Sequence, residues 1–388
     1  MTVPPGQAKD VVLLGAGHAH VGVLRDFGLA PPSDMRLTLI SRRALTPYSG
    51  MLPGLITGLY QHADAHIDTR PLCRFAGARL IIDEVTGLDP ARKLVLFRDR
   101  PPLPYDILSI DIGATPSAQS IPGVREHAIP VKPIDGFLER FEAARAAILA
   151  RSGRARIGVV GAGAGGVELA LAMHRRLSKD AIAAGGDASE LNVTLIDAND
   201  TILSTFPRKL QQRFADILRA RHITVLTGGA VTAVSPDGIA VEHHGHVPLD
   251  EVFWTTEAAP APWLRGTGLA LNADGFIRVT PTLQSVSHPD VFAAGDVAMI
   301  DGHPTPRSGV HAVRAAVPLA ANLRHTAHAR PLVPFTPQRD ALYLISTGER
   351  YAIGTRNGMT FGGKWVWWLK DWIDRRFMAQ YQNLPDRR

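Results

Sequence analysis

Two apolar runs along the chain break abruptly at glycine. The first is Asp10-Val-Val-Leu-Leu-Gly15-Ala-Gly17-His18. The second, Ile157-Gly-Val-Val-Gly161-Ala-Gly163-Ala-Gly-Gly166-Val-Glu168-Leu-Ala, repeats the arrangement, with Gly161 standing where Gly15 stood. Each is followed by a stretch of helical periodicity and then by a second β-branched strand, Leu37-Thr-Leu-Ile40 and Val193-Thr-Leu-Ile196. Strand, glycine turn, helix, strand opens a doubly wound parallel sheet, so the pattern predicts an α/β protein with two Rossmann-like units.

Between the units, residues 101–133 carry seven prolines and read as a crossing without a long regular element. Ile134 to Arg151 has helical character, 181–190 reads as an inserted loop, and Asp290-Val-Phe-Ala-Ala-Gly295-Asp296 is a late strand ending in Gly-Asp. Beyond Pro331 the composition turns aromatic and basic. The expected division is 1–118 and 277–333 for one dinucleotide domain in two segments, 119–276 for a second domain inserted in it, and 334–388 for a C-terminal piece.

In that last piece, Lys364-Trp-Val-Trp-Trp-Leu-Lys-Asp-Trp-Ile-Asp-Arg-Arg-Phe-Met378 contains no proline and predicts a helix over 364–378. On a 3.6 period Trp365, Trp368, Leu369, Trp372, Ile373 and Phe377 form one wide apolar face, with Lys370, Asp371, Asp374 and Arg375 falling largely elsewhere. Such a face suits the membrane interface, or packing on the protein or at a dimer contact.

Composition narrows the chemistry. The 388 residues are 45% hydrophobic and 20% charged, values of a folded protein with sizeable cores. Forty-two Lys and Arg against 36 Asp and Glu give +6, an excess too diffuse to argue for nucleic acid. No signal peptide or membrane-spanning run is evident, so the expectation is cytoplasmic, in solution or at the inner face of the cytoplasmic membrane. Cys73 is the single cysteine, which excludes a redox-active dithiol. His243-His244-Gly-His246 sits beside Gly and Pro and reads as a solvated hairpin; no metal site is expected.

Glycines let a pyrophosphate approach backbone N–H groups at a helix start. In the second turn Gly161, Gly163 and Gly166 complete the pattern, and Asp197 ends the next strand, where its carboxylate can accept from a ribose hydroxyl and repel a 2′-phosphate. Ala-Asn-Asp follows it, with no arginine, which favours NADH over NADPH. The first turn keeps Gly15 and Gly17 but reads Gly-His18-Ala19-His20, and its second strand ends in Ser41-Arg42-Arg43 with no acid. Its histidines suit helix packing or capping as well as catalysis.

With both turns and Gly295-Asp296 in hand, the chain resembles the two-dinucleotide-domain flavoproteins of the pyridine nucleotide–disulfide oxidoreductase superfamily. More narrowly it resembles the type II NADH dehydrogenases. The resemblance implies FAD at the first turn, NAD(P)H at the second, and Asp296 at the ribityl chain of the flavin. Asp111-Ile-Gly113-Ala114-Thr115-Pro116 is a loose match to the crossing segment of that family. The segments Gly15-Ala-Gly-His-Ala-His-Val, Thr46-Pro-Tyr48-Ser-Gly-Met51-Leu-Pro53-Gly and Tyr105 to Gly113 are similar to a branch found alone or fused to selenophosphate synthetase. The cofactor-binding set it implies is Gly15, Gly17, His18, Ala19, His20, Ser41, Arg42, Tyr48, Met51, Pro53, Gly113, Ala114, Gly161, Gly163, Gly166, Glu168, Asp197, Gly295 and Asp296.

Type II NADH dehydrogenases carry a glutamine pair near the flavin; the matching stretch here is Arg307-Ser-Gly-Val310-His311-Ala-Val-Arg314. His311 and Arg314 are the candidates for polarising the flavin edge or an acceptor carbonyl, while Arg314 equally suits a surface ion pair. Three readings stay open: transfer from NADH through FAD to a quinone-like acceptor, a soluble NAD(P)H-dependent reductase of a small selenium or sulfur oxidant, and a non-catalytic flavin redox sensor.

Overall fold

The computed structural model describes residues 8–116, 121–151, 154–256, 258–303, 309–338 and 341–385. The first unit runs β1 (Lys9–Leu14), α1 (His18–Leu29), β2 (Met35–Ser41), α2 (Leu52–Thr57), α3 (Thr69–Ala76), β3 (Arg79–Ile82) and β4 (Ile107–Ile110). The last residues of β1 and all of β4 are buried on both faces, as parallel strands covered by helices must be. The four-residue β4 falls inside the proline-rich crossing and is nonetheless a central strand, paired with β1 from Val11↔Ile107 to Leu14↔Ile110.

The second unit follows as β5 (Ala128–Pro130), α4 (Ile134–Ala150), β6 (Ala155–Val160), α5 (Ala164–Ala183), β7 (Leu191–Ile196), β8 (Thr224–Leu226) and β9 (Glu251–Trp254). Its parallel sheet has the order β5-β9-β6-β7-β8. The expected loop at 181–190 is smaller than predicted. Helix α5 runs 20 residues, to Ala183, so extra helix supplies much of the long spacing between Gly161 and Asp197.

Strand β10 (Val291–Ala293) then returns to the first sheet and completes the order β10-β4-β1-β2-β3. After it, α6 (Gly309–Ala327) packs against α1. The C-terminal piece is an antiparallel sheet of β11 (Tyr343–Glu349), β12 (Tyr351–Arg356) and β13 (Met359–Gly363), closed by α7 (Lys364–Gln382). Helices α2 and α5 lie against β11, and α7 packs on β12 and on residues 66–68, so this piece touches both units.

At the heart of the second unit Phe253 is fully buried against Phe137 and Phe141, with ring centroids 6.1 and 6.3 Å away. Phe253→Ala is expected to cost about 3–5 kcal/mol through lost burial and a residual cavity. Urea unfolding of the variant beside the wild type measures that loss.

Candidate functional site

Both glycine turns lie where a parallel strand passes into a helix, with the helix N-terminus facing the turn. In the first, Gly15 holds φ +93 and packs so closely that a Cβ would lie 2.3 Å from the Asp111 carbonyl oxygen. Gly17 caps α1, and its N–H donates to that same oxygen at 3.1 Å. The Asp111 carboxyl then accepts from the N–H groups of Ala19 at 2.9 Å and His20 at 3.2 Å.

His20 occupies the third glycine position, and the structure commits it to the protein. Its ring is fully buried, with Nδ1 2.6 Å from the Gly15 carbonyl and Nε2 2.8 Å from Ser109 Oγ. Burial drives the ring from the ordinary value of 6.5 down to about 4, so it is neutral; Nδ1 donates to the carbonyl, and Nε2 accepts from the hydroxyl. Its side chain is thus engaged within the protein and pins β4 to the turn.

His18 differs. Its ring meets Tyr48 edge-on at 5.4 Å, and its enclosed Nε2 has no hydrogen-bond partner among the described residues. Burial lowers it too, to about 4. Nearby, Gly113 (φ +69) opens on space with no atom within 4 Å of a Cβ, and Ala114 is buried. Gly295 (φ +70) abuts the Asp111 carboxyl, and Asp296 is paired with Lys132 Nζ at 2.7 Å. Ser41 is half-buried at the end of β2, and Arg42 is exposed.

The second turn repeats the frame with a different acid. Gly161 holds φ +106 and donates to the Ile196 carbonyl at 2.7 Å, while Thr255 Oγ1 bridges the carbonyls of Val160 and Gly161. A Cβ on Gly166 would lie 1.7 Å from the Gly161 oxygen, so only glycine lets α5 approach β6 here; Gly163 faces open space. Asp197 accepts from Ala162 N–H on one oxygen and from the Asn199 N–H at 2.8 Å on the other. Glu168 departs from expectation. It is half-buried, accepts from Ser346 N–H at 2.6 Å on β11, and so faces the C-terminal piece.

Helix α7 sets three of its indoles outward and three of its charged residues inward. Trp365, Trp368 and Trp372 are 58%, 54% and 56% exposed, while Lys370, Asp371 and Asp374 are buried with Val366, Trp367 and Phe377. Lys370 Nζ reaches the Gly50 carbonyl and Asp374 Oδ2, each at 2.7 Å, and Arg375 meets Asp371 at 3.0 Å. Tyr48 hydrogen-bonds Asp374 and lies 4.5 Å from the Phe377 ring. Met51 and Pro53 are buried.

Burial works against the Lys370 charge, but Asp374 and Glu168 together hold the ammonium above the ordinary lysine range. Burial also lifts Glu168 to about 7, against the pull of Lys370 and Ser346 N–H. The sequence reading missed Asp111, Lys132, Lys370 and Asp374. The signals available were an acid ending an apolar run and an i,i+4 Lys-Asp pair.

Residues 9–316 match the family described as pyridine nucleotide-disulphide oxidoreductase. The chain belongs to this family. It is 28% identical over 306 residues to the NADH dehydrogenase-like protein YutJ of Bacillus subtilis, covering 76% of this chain and 79% of that protein. It is 26% identical over 407 residues to the type II NADH:quinone oxidoreductase Ndh of Mycobacterium tuberculosis, covering 95% and 84%. The fold matches the NDH2 of Plasmodium falciparum solved in complex with NADH, with TM-score 0.78 at 16% identity over 98% of this chain and 99% of that one. It also matches the sulfide:quinone oxidoreductase of Aquifex aeolicus, with TM-score 0.81 at 21% identity over 97% and 92%.

Within this oxidoreductase family the chain lacks a dithiol. Its one thiol, Cys73 on α3, is buried and pushed up to about 12 by desolvation. Residues 307 and 308 of the stretch matched to the glutamine pair lie outside the described residues. Of the rest, His311 is buried with Nδ1 unpartnered among the described residues, and Arg314 is exposed. His243, His244 and His246 are exposed on a hairpin, and no cluster fit to hold a metal occurs among the described residues.

Because folded His20 resists protonation, the stability it contributes is whole above pH 6.5 and is lost as pH falls toward about 4. The gap in unfolding free energy between wild type and His20→Asn should therefore shrink over that window, by up to about 1.4 kcal/mol per pH unit. A gap unchanged across the window in urea titrations contradicts the neutral-ring assignment.

Proposed function

We propose that this chain is an FAD-dependent NADH:quinone-type oxidoreductase working at the inner, cytoplasmic face of a membrane. The observation that carries this reading is α7, which buries Lys370 and Asp374 beside Tyr48 and turns three tryptophans outward. Exposed indoles flanked by Arg350 and Arg376, whose guanidinium carbons lie 5.8 Å from the Trp368 ring and 5.2 Å from the Trp372 ring, suit an anionic membrane interface. Among the described residues no helix is long and apolar enough to cross a membrane, so contact would be at the surface.

The residues of the first turn fit FAD: Gly113 has an open side, and the enclosed nitrogens of His18 and His311 have no partner among the described residues. Gly17, Ser41, Arg42 and Asp296 would hold its pyrophosphate, ribose and ribityl parts. FAD supplies hydride acceptance from NADH and onward electron transfer. Asp197 would orient NADH through its ribose hydroxyls. Glu168, held close to neutrality, and the Lys370 ammonium would keep protons within reach of a quinone as it takes up electrons.

A soluble reductase of a small oxidant is the second reading. It is favoured by Val310 and Arg314, which the sequence resemblance matches to the glutamine positions of type II NADH dehydrogenases.

The purified protein should be yellow and should oxidise NADH with a soluble quinone; a colourless, inactive preparation would sink the first reading. Sedimentation with anionic liposomes separates the two. Serine at Trp365, Trp368 and Trp372 should abolish membrane binding and spare soluble-quinone turnover, whereas a wild type that never sediments favours the second reading. Asp197→Ala removes hydrogen bonds to a charged acceptor, so the NADH over NADPH preference in kcat/KM should fall by roughly 10- to 100-fold. Unchanged discrimination contradicts the placing of Asp197.

A further inference from the structure

Asp111 is an enclosed acid that none of the chemistry above employs. One carboxyl oxygen accepts from the N–H groups of Ala19 and His20. The carboxyl also fills the space beside two glycines: a Cβ on Gly17 would lie 2.2 Å from its Oδ1, and one on Gly295 would lie 2.4 Å from the same atom. A single carboxyl thus stands between the turn that opens α1 and the late turn that carries Asp296.

The first-turn N–H groups of such a helix are the donors a dinucleotide pyrophosphate uses. A pyrophosphate arriving there brings two negative charges to a water-poor corner already holding an acid, where like charges repel strongly. We propose that the first glycine turn binds FAD together with one proton carried on Asp111, so that flavin affinity depends on pH. The proposal rests on the reading that FAD occupies this turn.

The groups facing Asp111 leave it as the one that titrates. From α1, His18 and His20 are both depressed to about 4 and stay neutral through the range concerned. From the late turn, Asp296 is held by Lys132. From α6, burial and the neighbouring Arg314 lower His311. From β1 and its turn, Gly15 and Gly17 offer only backbone. Desolvation raises Asp111 itself to about 7, against the pull of the His20 and Ala19 N–H groups and with a further push from Asp296. Bound pyrophosphate raises it more. Above about pH 7 the flavin-free protein has lost this proton and the complex keeps it, so binding must take one up.

The test strips flavin from the purified protein and measures FAD binding by flavin fluorescence between about pH 6 and about pH 9. Parallel calorimetry in two buffers of different ionisation enthalpy counts protons. The expected result is a Kd that is level below about pH 7 and weakens by up to ~10-fold per unit above it, with close to one proton taken up per FAD. Asp111→Asn should level the profile and remove the uptake. A level wild-type profile without proton uptake, or an Asn variant that keeps the slope, overturns the proposal. Should the variant fail to fold, wild-type calorimetry decides alone. A protein that binds no FAD at any pH overturns the flavin reading itself.

Discussion

A helix that starts at the end of a parallel strand leaves backbone N–H groups without partners, and the first half of this molecule is arranged around that requirement. Each glycine turn meets a carboxylate from a neighbouring strand end, at the first N–H groups of α1 in one unit and at an N–H of the turn ahead of α5 in the other. In the first unit the acid is Asp111, after β4, set inside the turn against Gly17. In the second it is Asp197, after β7 on the other side, set at the rim and shared with Asn199. The carboxylate beside each turn thus leaves one turn closed and the other open, where Gly163 faces empty space.

The C-terminal helix shows the complementary constraint. Burying Lys370, Asp371 and Asp374 would be costly if any were left alone, and the helix docks in the register that pairs them with Gly50, Arg375 and one another. Each of the three charged residues that α7 turns inward has a partner, beside the buried Val366, Trp367 and Phe377. Trp365, Trp368 and Trp372 are left outside. Tyr48 and Gly50, in the segment that resembles a particular flavoprotein branch, are the counterparts of this docking.

Sequence periodicity located the two sheets, both glycine turns and the start of α7, which runs on to Gln382, four residues past the expected end, because each is a local pattern. The reach of β4 was hidden among prolines, since a four-residue strand buried on both faces has no alternation to detect. His20 read as a possible ligand because its partners, the Gly15 carbonyl and Ser109, are a turn and a strand that meet only in three dimensions. Glu168 followed a family motif by position, yet its carboxylate answers to Ser346, far along the chain. The orientation of α7 was invisible for a different reason. A helix with indoles on one face and paired charges on the other offers two plausible interiors, and only the partners supplied by other segments choose between them.

Cys73 carries a practical consequence. The only thiol in the chain is enclosed and strongly disinclined to ionise, so the native surface is silent to thiol-directed reagents. A cysteine introduced anywhere outside would then be the sole point of attachment for a spin label or fluorophore, without first deleting a native residue. The fold comes ready for site-by-site measurement of its own surface.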